Sequence, residues 1–280
     1  MVEPTTEVTD RPGAELDGGA MPEPRRITWP RPPGRLRLDE HQTHLWAFSL
    51  DLGGGELYRL FELLSPEEQQ RARRFRFDLH RDRFIAARTQ LRLLLSHYTR
   101  EEPNQIQFTY GTNGKPQVVS TDSNSTLEFN LAHSAELALL AVNRSVPVGV
   151  DLEELHLLED APALVARFFS TRENQSFQQL RESQKLSAFF NLWTRKEAWL
   201  KATGEGIGYS LNKVEVSFLP DEEARLFATP ESRPISEWQL TNLKPAIGFV
   251  AALALRDNLN AIETLQFQAS SRDSRSFCIE

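Results

Sequence analysis

Apolar and polar positions alternate between two periods along this chain. His44-Leu45-Trp46-Ala47-Phe48-Ser49-Leu50 predicts a strand. Ser65-Pro66-Glu67-Glu68 predicts a helix start, with Ser as the N-cap, Pro in the first turn and acids behind it. Helical apolar spacing follows as far as about Tyr98, through Phe84, Ala87, Leu91, Leu94 and Leu95. Asn113-Gly114-Lys115-Pro116 predicts a turn, and Gly53-Gly54-Gly55 another. Strands are predicted at 127–131 and 137–142, with His133-Ser134-Ala135-Glu136 between them, and at 147–153, ending in acids. Helices are predicted around 161–169 and 186–202, the second stopped by Gly204-Glu205-Gly206. Strands at 214–219, 238–243 and 247–254 complete the pattern.

Each half thus reads as strand, helix and further strands. The fold class is α+β, as two comparable lobes joined near Pro147–Asp151. The Pro-, Gly- and acid-rich stretch 1–38 predicts a disordered tail, and 266–280 a loosely ordered one. The lobes then span 39–147 and 148–265.

Composition narrows the class. Of the 280 residues 40% are hydrophobic and 25% charged, as in a soluble globular protein. The net charge of -7 argues against broad nucleic-acid binding, although clustered arginines leave room for a local basic pocket. A lone Cys278 excludes an intrachain disulfide and a cysteine zinc site. No apolar run approaches membrane-spanning length, and the acidic, proline-rich N-terminus lacks signal-peptide character. A cytoplasmic protein with no membrane partner is the expectation.

Candidate chemistry starts at Asp151 and Glu153. Two residues apart on a strand, they share a face, and two neighbouring carboxylates suit a hard cation such as magnesium. The pair alone is equally a common solvated triplet. Glu197 and Lys201 are four apart on a helix: an ion pair contributing a few tenths of a kcal/mol at about 0.3, or an acid beside a phosphate-binding lysine. Lys115 in a turn and His133 between strands have ordinary structural readings. The arginines from 71 to 92, by default a solvated helix face, can include phosphate binders. Phosphate-loop, dinucleotide, nucleophile-elbow and zinc-protease motifs are absent from the sequence.

The order of these features resembles the 4′-phosphopantetheinyl transferase superfamily, in its larger, pseudo-dimeric, surfactin-synthetase-activating (Sfp-like) branch. That family has an Asn-Gly-Lys-Pro-like turn, then Phe-Asn-(Leu/Ile)-Ser-His-Ser, Gly-(Ile/Val)-Asp-(Ile/Leu)-Glu and Trp-(Ser/Thr)-x-Lys-Glu-Ala-x-x-Lys. Here stand Asn113-Gly114-Lys115-Pro116, Phe129-Asn130-Leu131-Ala132-His133-Ser134, Gly149-Val150-Asp151-Leu152-Glu153 and Trp193-Thr194-Arg195-Lys196-Glu197-Ala198-Trp199-Leu200-Lys201. Ala132 replaces the family's serine, a hydroxyl expected near the coenzyme A phosphates and worth about 1 kcal/mol. Restoring it with Ala132→Ser is expected to be neutral or to tighten binding.

The resemblance implies two similar α/β lobes related by a pseudo-two-fold. It implies transfer of the phosphopantetheine arm of coenzyme A to a serine of acyl or peptidyl carrier proteins of fatty-acid, polyketide or nonribosomal peptide synthesis. Asp151, Glu153 and Glu197 would hold Mg2+, with Glu197 as base and Lys201 at a phosphate oxygen. Lys115, His133, Arg83, Arg71 and Lys196 would contact coenzyme A. The first lobe would supply most coenzyme A contacts, the second the metal and catalytic residues, in a monomer. The rivals are a catalytically silent carrier- or coenzyme-A-binding protein, an enzyme dedicated to one fatty-acid carrier, and an unrelated magnesium phosphotransferase.

Overall fold

Strand β1 (Gln42–Ser49) forms as the sequence predicts, and it is buried from Thr43 to Phe48 because both of its faces are covered. The structure, a computed structural model, describes residues 36–119, 127–144, 146–206, 211–220, 222–230, 233–257 and 261–266. β1 lies within a four-stranded sheet together with β4 (Leu127–Ser134), β5 (Leu137–Arg144) and β11 (Ala261–Gln266), in the order β11-β1-β5-β4. A second sheet holds β6 (Val148–Glu154), β9 (Gln239–Leu243) and β10 (Phe249–Leu255), in the order β6-β10-β9. Two small hairpins, β2 (Phe108–Tyr110) with β3 (Pro116–Val118) and β7 (Glu215–Val216) with β8 (Leu226–Ala228), flank the sheets.

Strand alternation sorts the side chains into three cores. Trp46, Phe48, Phe129, Leu140 and Val142 meet Leu91 and Leu94 of α3 (Asp78–Thr99). Leu45, Ala47, Ala132, Leu139 and Ala141 point the other way and meet Val148, Val150, Leu152, Ala251 and Leu253 of the second sheet. Ala252 and Ala254, on that sheet's far face, meet Trp199 and Leu200 of α6 (Glu182–Thr203). The molecule is therefore four layers deep: helix, sheet, sheet, helix.

The two halves repeat in detail. Ser65 caps α2 (Pro66–Ala72) in a reciprocal box with Glu68, as predicted, and Ser170 does the same with Glu173 at α5 (Thr171–Gln178). Each of these glutamates is buried and takes a cation from the long helix of its own half: Arg92 of α3 reaches Glu68, and Lys196 of α6 reaches Glu173. Each cation also donates to two loop carbonyls, Pro103 and Ile106 for Arg92, Leu211 and Val214 for Lys196. Both long helices have 22 residues and end in a left-handed residue, Arg100 and Gly204.

Several elements depart from the sequence pattern. The stretch from Ser65 to Tyr98 is two helices, broken between Ala72 and Asp78. Gly54 and Gly55 open a helix, α1 (Gly54–Phe61), rather than a turn, since Leu57 and Leu60 bury one of its faces. α4 (Ala161–Phe168) matches its prediction. The tail predicted to run to residue 38 ends sooner, because Leu38 is buried and Leu36 packs beside it; residues 1–35 and 267–280 lie outside the described residues. From the end of the described residues, β11 returns to pair in parallel with β1.

Candidate active site

The site is built where β6 meets α6. Val148, Val150 and Leu152 face the first sheet, so Gly149, Asp151 and Glu153 face α6. A Cβ on Gly149 would stand 2.1 Å from the Ala198 carbonyl oxygen and 2.3 Å from the Ala202 nitrogen. Only glycine lets the helix backbone rest directly on the strand. That contact sets Glu197 and Lys201, one helical turn apart, against the strand's carboxylates. Lys201 Nζ lies 2.5 Å from Asp151 Oδ1. Glu153 accepts from the Ser134 hydroxyl at 3.3 Å and lies near the Trp193 side chain.

Burial dominates the electrostatics. It pushes the Asp151 carboxyl up, against the pull of Lys201. Burial also raises Glu153, with Asp151 adding repulsion. Glu197 rises to about 7, through burial first and then repulsion from Asp151 and Glu153, with Lys201 opposing. The cluster is thus short of positive charge.

A divalent cation fits that deficit. Asp151 Oδ2 and Glu197 Oε1 are both buried and find no hydrogen-bond partner among the described residues. Such atoms are costly unless a cation or ligand meets them. Hard carboxylate oxygens are the donor set that magnesium takes. Among the described residues, no group of three His, Cys, Asp or Glu side chains is placed to hold a metal ion, so the fit rests on the unpartnered oxygens of Asp151 and Glu197.

Beside it lies a cavity of about 560 Å³. Arg71, His80, Arg83, Arg88 and His133 supply its cationic and imidazole side, and Phe75, Phe84, Ala87, Leu91, Pro116 and Leu131 its apolar side. Arg83 is oriented by a paired contact to Asp51, at 2.8 and 3.2 Å. The Arg71 guanidinium sits over the Phe84 ring. Arg88 is drawn back onto Glu68. His133 lies in β4, not between strands, and alternation turns it towards the cavity while Ser134 turns towards Glu153. The imidazole is held below its usual range, by burial first and then by Lys201 and Arg83, so it is near both the cavity arginine and the carboxylate cluster.

Asp151, Glu153, Glu197 and Lys201 are thus brought together, and Arg71, Arg83 and His133 share one cavity. Two predicted contacts lie elsewhere. Lys196 is fully buried on the other side of α6, held by Glu173 and the Leu211 and Val214 carbonyls. Lys115 donates to the Val148 and Ala202 carbonyls at 2.9 and 3.3 Å, with Glu128 at 3.8 Å. Asn113 beside it donates to the Gly204 carbonyl. That turn therefore fastens the first lobe to the end of α6, where carbonyls attract cations. Ala132 faces the core between the sheets, so a hydroxyl there would not meet a ligand in the cavity. His80, Phe75 and Trp193 were not singled out as site residues; their only sequence signal was proximity to the arginine run and the tryptophan motif.

Comparison with known proteins gives the family. Residues 54–145 match the family described as 4′-phosphopantetheinyl transferase, N-terminal, and residues 147–254 match the 4′-phosphopantetheinyl transferase superfamily. The chain is 42% identical over 229 residues to the 4′-phosphopantetheinyl transferase HetI of Nostoc sp., covering 81% of this chain and 93% of that protein. It is 38% identical to the slr0495 protein of Synechocystis sp., over 64% of this chain and 72% of that one. Identity to the 4′-phosphopantetheinyl transferase Sfp of Bacillus subtilis is 24%, over 60% and 72%. Both lobes match over nearly their whole length, and the chain belongs to the 4′-phosphopantetheinyl transferase superfamily.

Proposed function

We propose that the chain transfers the phosphopantetheine arm of coenzyme A to a serine of an acyl or peptidyl carrier protein. The serine oxygen forms a bond to the β-phosphorus, the pyrophosphate bond breaks, and adenosine 3′,5′-bisphosphate leaves with the bridging oxygen. The observation that carries this reading is the buried Glu197, with a pKa of about 7, set among Asp151, Glu153 and Lys201 beside a cavity with an arginine and histidine wall.

Each group has a role that suits its chemistry. Phe75 and Phe84, rings 5.2 Å apart, offer an apolar surface to the nucleoside. Arg71, Arg83 and His133 meet phosphates, Arg83 already oriented by Asp51. Asp151, Glu153 and Glu197 would hold Mg2+, which when bound neutralises charge on the pyrophosphate. Glu197 is the proposed acceptor of the serine proton, as the buried carboxylate of the cluster on α6. Lys201 shifts between Asp151 and a phosphate oxygen. We further propose that the enzyme acts in the cytosol as a monomer, because one chain supplies both walls of the site.

The test is intact-mass measurement of apo acyl and apo peptidyl carriers incubated with the chain and coenzyme A, with and without Mg2+. A metal-dependent gain of one phosphopantetheine is expected. Coenzyme A binding with no mass gain on any carrier would favour a silent binding protein instead.

A further inference from the structure

Asp151 and Glu197 each keep a buried oxygen without a hydrogen-bond partner among the described residues, and Glu153 is the third carboxylate near them, so its orientation decides whether three carboxylates converge. Glu153 is a half-buried side chain with three rotatable bonds, whose orientation must be held by neighbours. One neighbour is Trp193 on α6. The other comes from the opposite lobe: Ser134, the last residue of β4.

The geometry at Ser134 is specific. Its Oγ accepts the Glu154 backbone N–H at 3.0 Å. The hydroxyl has a single hydrogen, and Glu153 Oε2 lies 3.3 Å away to receive it. Ser134 is itself fixed, because it pairs with Leu137 across a two-residue turn in which Ala135 is held at φ 47°. A non-glycine residue adopts that left-handed conformation at a cost of about 1 kcal/mol. Its chain neighbour His133 lines the cavity. One short hairpin end therefore touches the cavity with one residue and a carboxylate of the cluster with the next.

We propose that Ser134 is a positioning residue that sets Glu153 across the lobe seam. This rests on reading the cluster as a divalent-cation site. Losing a hydrogen bond that orients a ligating carboxylate weakens metal binding by roughly tenfold or more.

The test is Mn2+ binding in the presence of coenzyme A, followed by the resonance signal of free Mn2+, for the wild type, Ser134→Ala and Ser134→Thr. Metal-free coenzyme A binding is measured calorimetrically beside it, and melting curves establish folding. Ser134→Ala is expected to weaken Mn2+ binding by about tenfold and to leave metal-free coenzyme A binding unchanged. Ser134→Thr, which keeps the hydroxyl, is expected to restore most of the Mn2+ affinity. Unchanged Mn2+ affinity in Ser134→Ala would overturn the proposal, as would an equal loss in both variants. Absence of Mn2+ binding by the wild type would overturn the metal reading itself, and this one with it.

Discussion

At the scale of single residues, Glu197 makes a claim that does not depend on turnover. Its folded-state pKa is about 7 against an ordinary 4.5. Below 4.5 both states hold the proton. Between 4.5 and 7 the folded state keeps a proton that the unfolded state has released. Stability from this group is therefore highest at low pH and falls as pH rises to about 7, by about 3 kcal/mol at most. Metal-free Glu197→Gln should melt higher than wild type at pH 8, the two should converge near pH 5, and transfer should be abolished. A metal-free difference that does not change with pH would count against the burial argument. Lys196 shows where reading residues one by one stops. It immediately precedes Glu197 in the motif, but adjacent helix positions are about 100° apart, and that rotation carries its ammonium to Glu173 instead of the cavity. Lys196→Met breaks a buried pair and should cost about 3–5 kcal/mol. Coenzyme A affinity at a temperature where the variant is folded should not change; a specific loss of affinity would restore Lys196 to the site.

At the scale of elements, the decisive contact is β6 against α6. The Gly-Val-Asp-Leu-Glu pattern is legible as a strand, and the Trp193–Lys201 stretch as a helix. Their mutual approach was not legible, because both faces of β6 are covered and periodicity does not say which face meets the helix. Gly149 settles it: no side chain fits between strand and helix. Gly149→Ala should cost on the order of 3 kcal/mol by overpacking and should separate Glu197 from Asp151, so both melting temperature and transfer should fall. Normal values of both would mean that the helix sits further off. Ala132 carries the matching lesson. The family pattern placed its missing hydroxyl near phosphates, whereas alternation along β4 turns it into the core between the sheets. Ala132→Ser should then destabilise by about 1–3 kcal/mol through an unpaired buried hydroxyl, with no gain in coenzyme A affinity. Tighter binding would show that β4 had been placed one residue out of register.

At the scale of the whole molecule, two lobes were legible from the repeated order of strand, helix and strands. The closing strand was not. Ala261–Gln266 is short and partly polar, and its partner, β1, lies more than 200 residues earlier, a separation that local pattern does not reveal. Its side chains anchor it there: Glu263 accepts from Gln42 at 2.6 Å, and Leu265 enters the first core. Ending the chain at residue 257 should lower the melting temperature by uncovering the edge of β1, and should leave Mn2+ affinity intact because the carboxylates lie on the other sheet. The predicted contact residues belong to several elements of the two lobes. What the fold adds is their convergence: Arg71 and Arg83 from the first helices, His133 from β4, and the carboxylates from β6 and α6.

That convergence is tested most directly by a crystal of the chain grown with coenzyme A and Mn2+, with the metal located from its anomalous signal. The account predicts one peak contacting Asp151, Glu153 and Glu197, with the pyrophosphate as a further ligand and the nucleoside in the cavity against Phe75 and Phe84. A peak away from these carboxylates, or coenzyme A phosphates bound at Lys196 or Lys115, would contradict it.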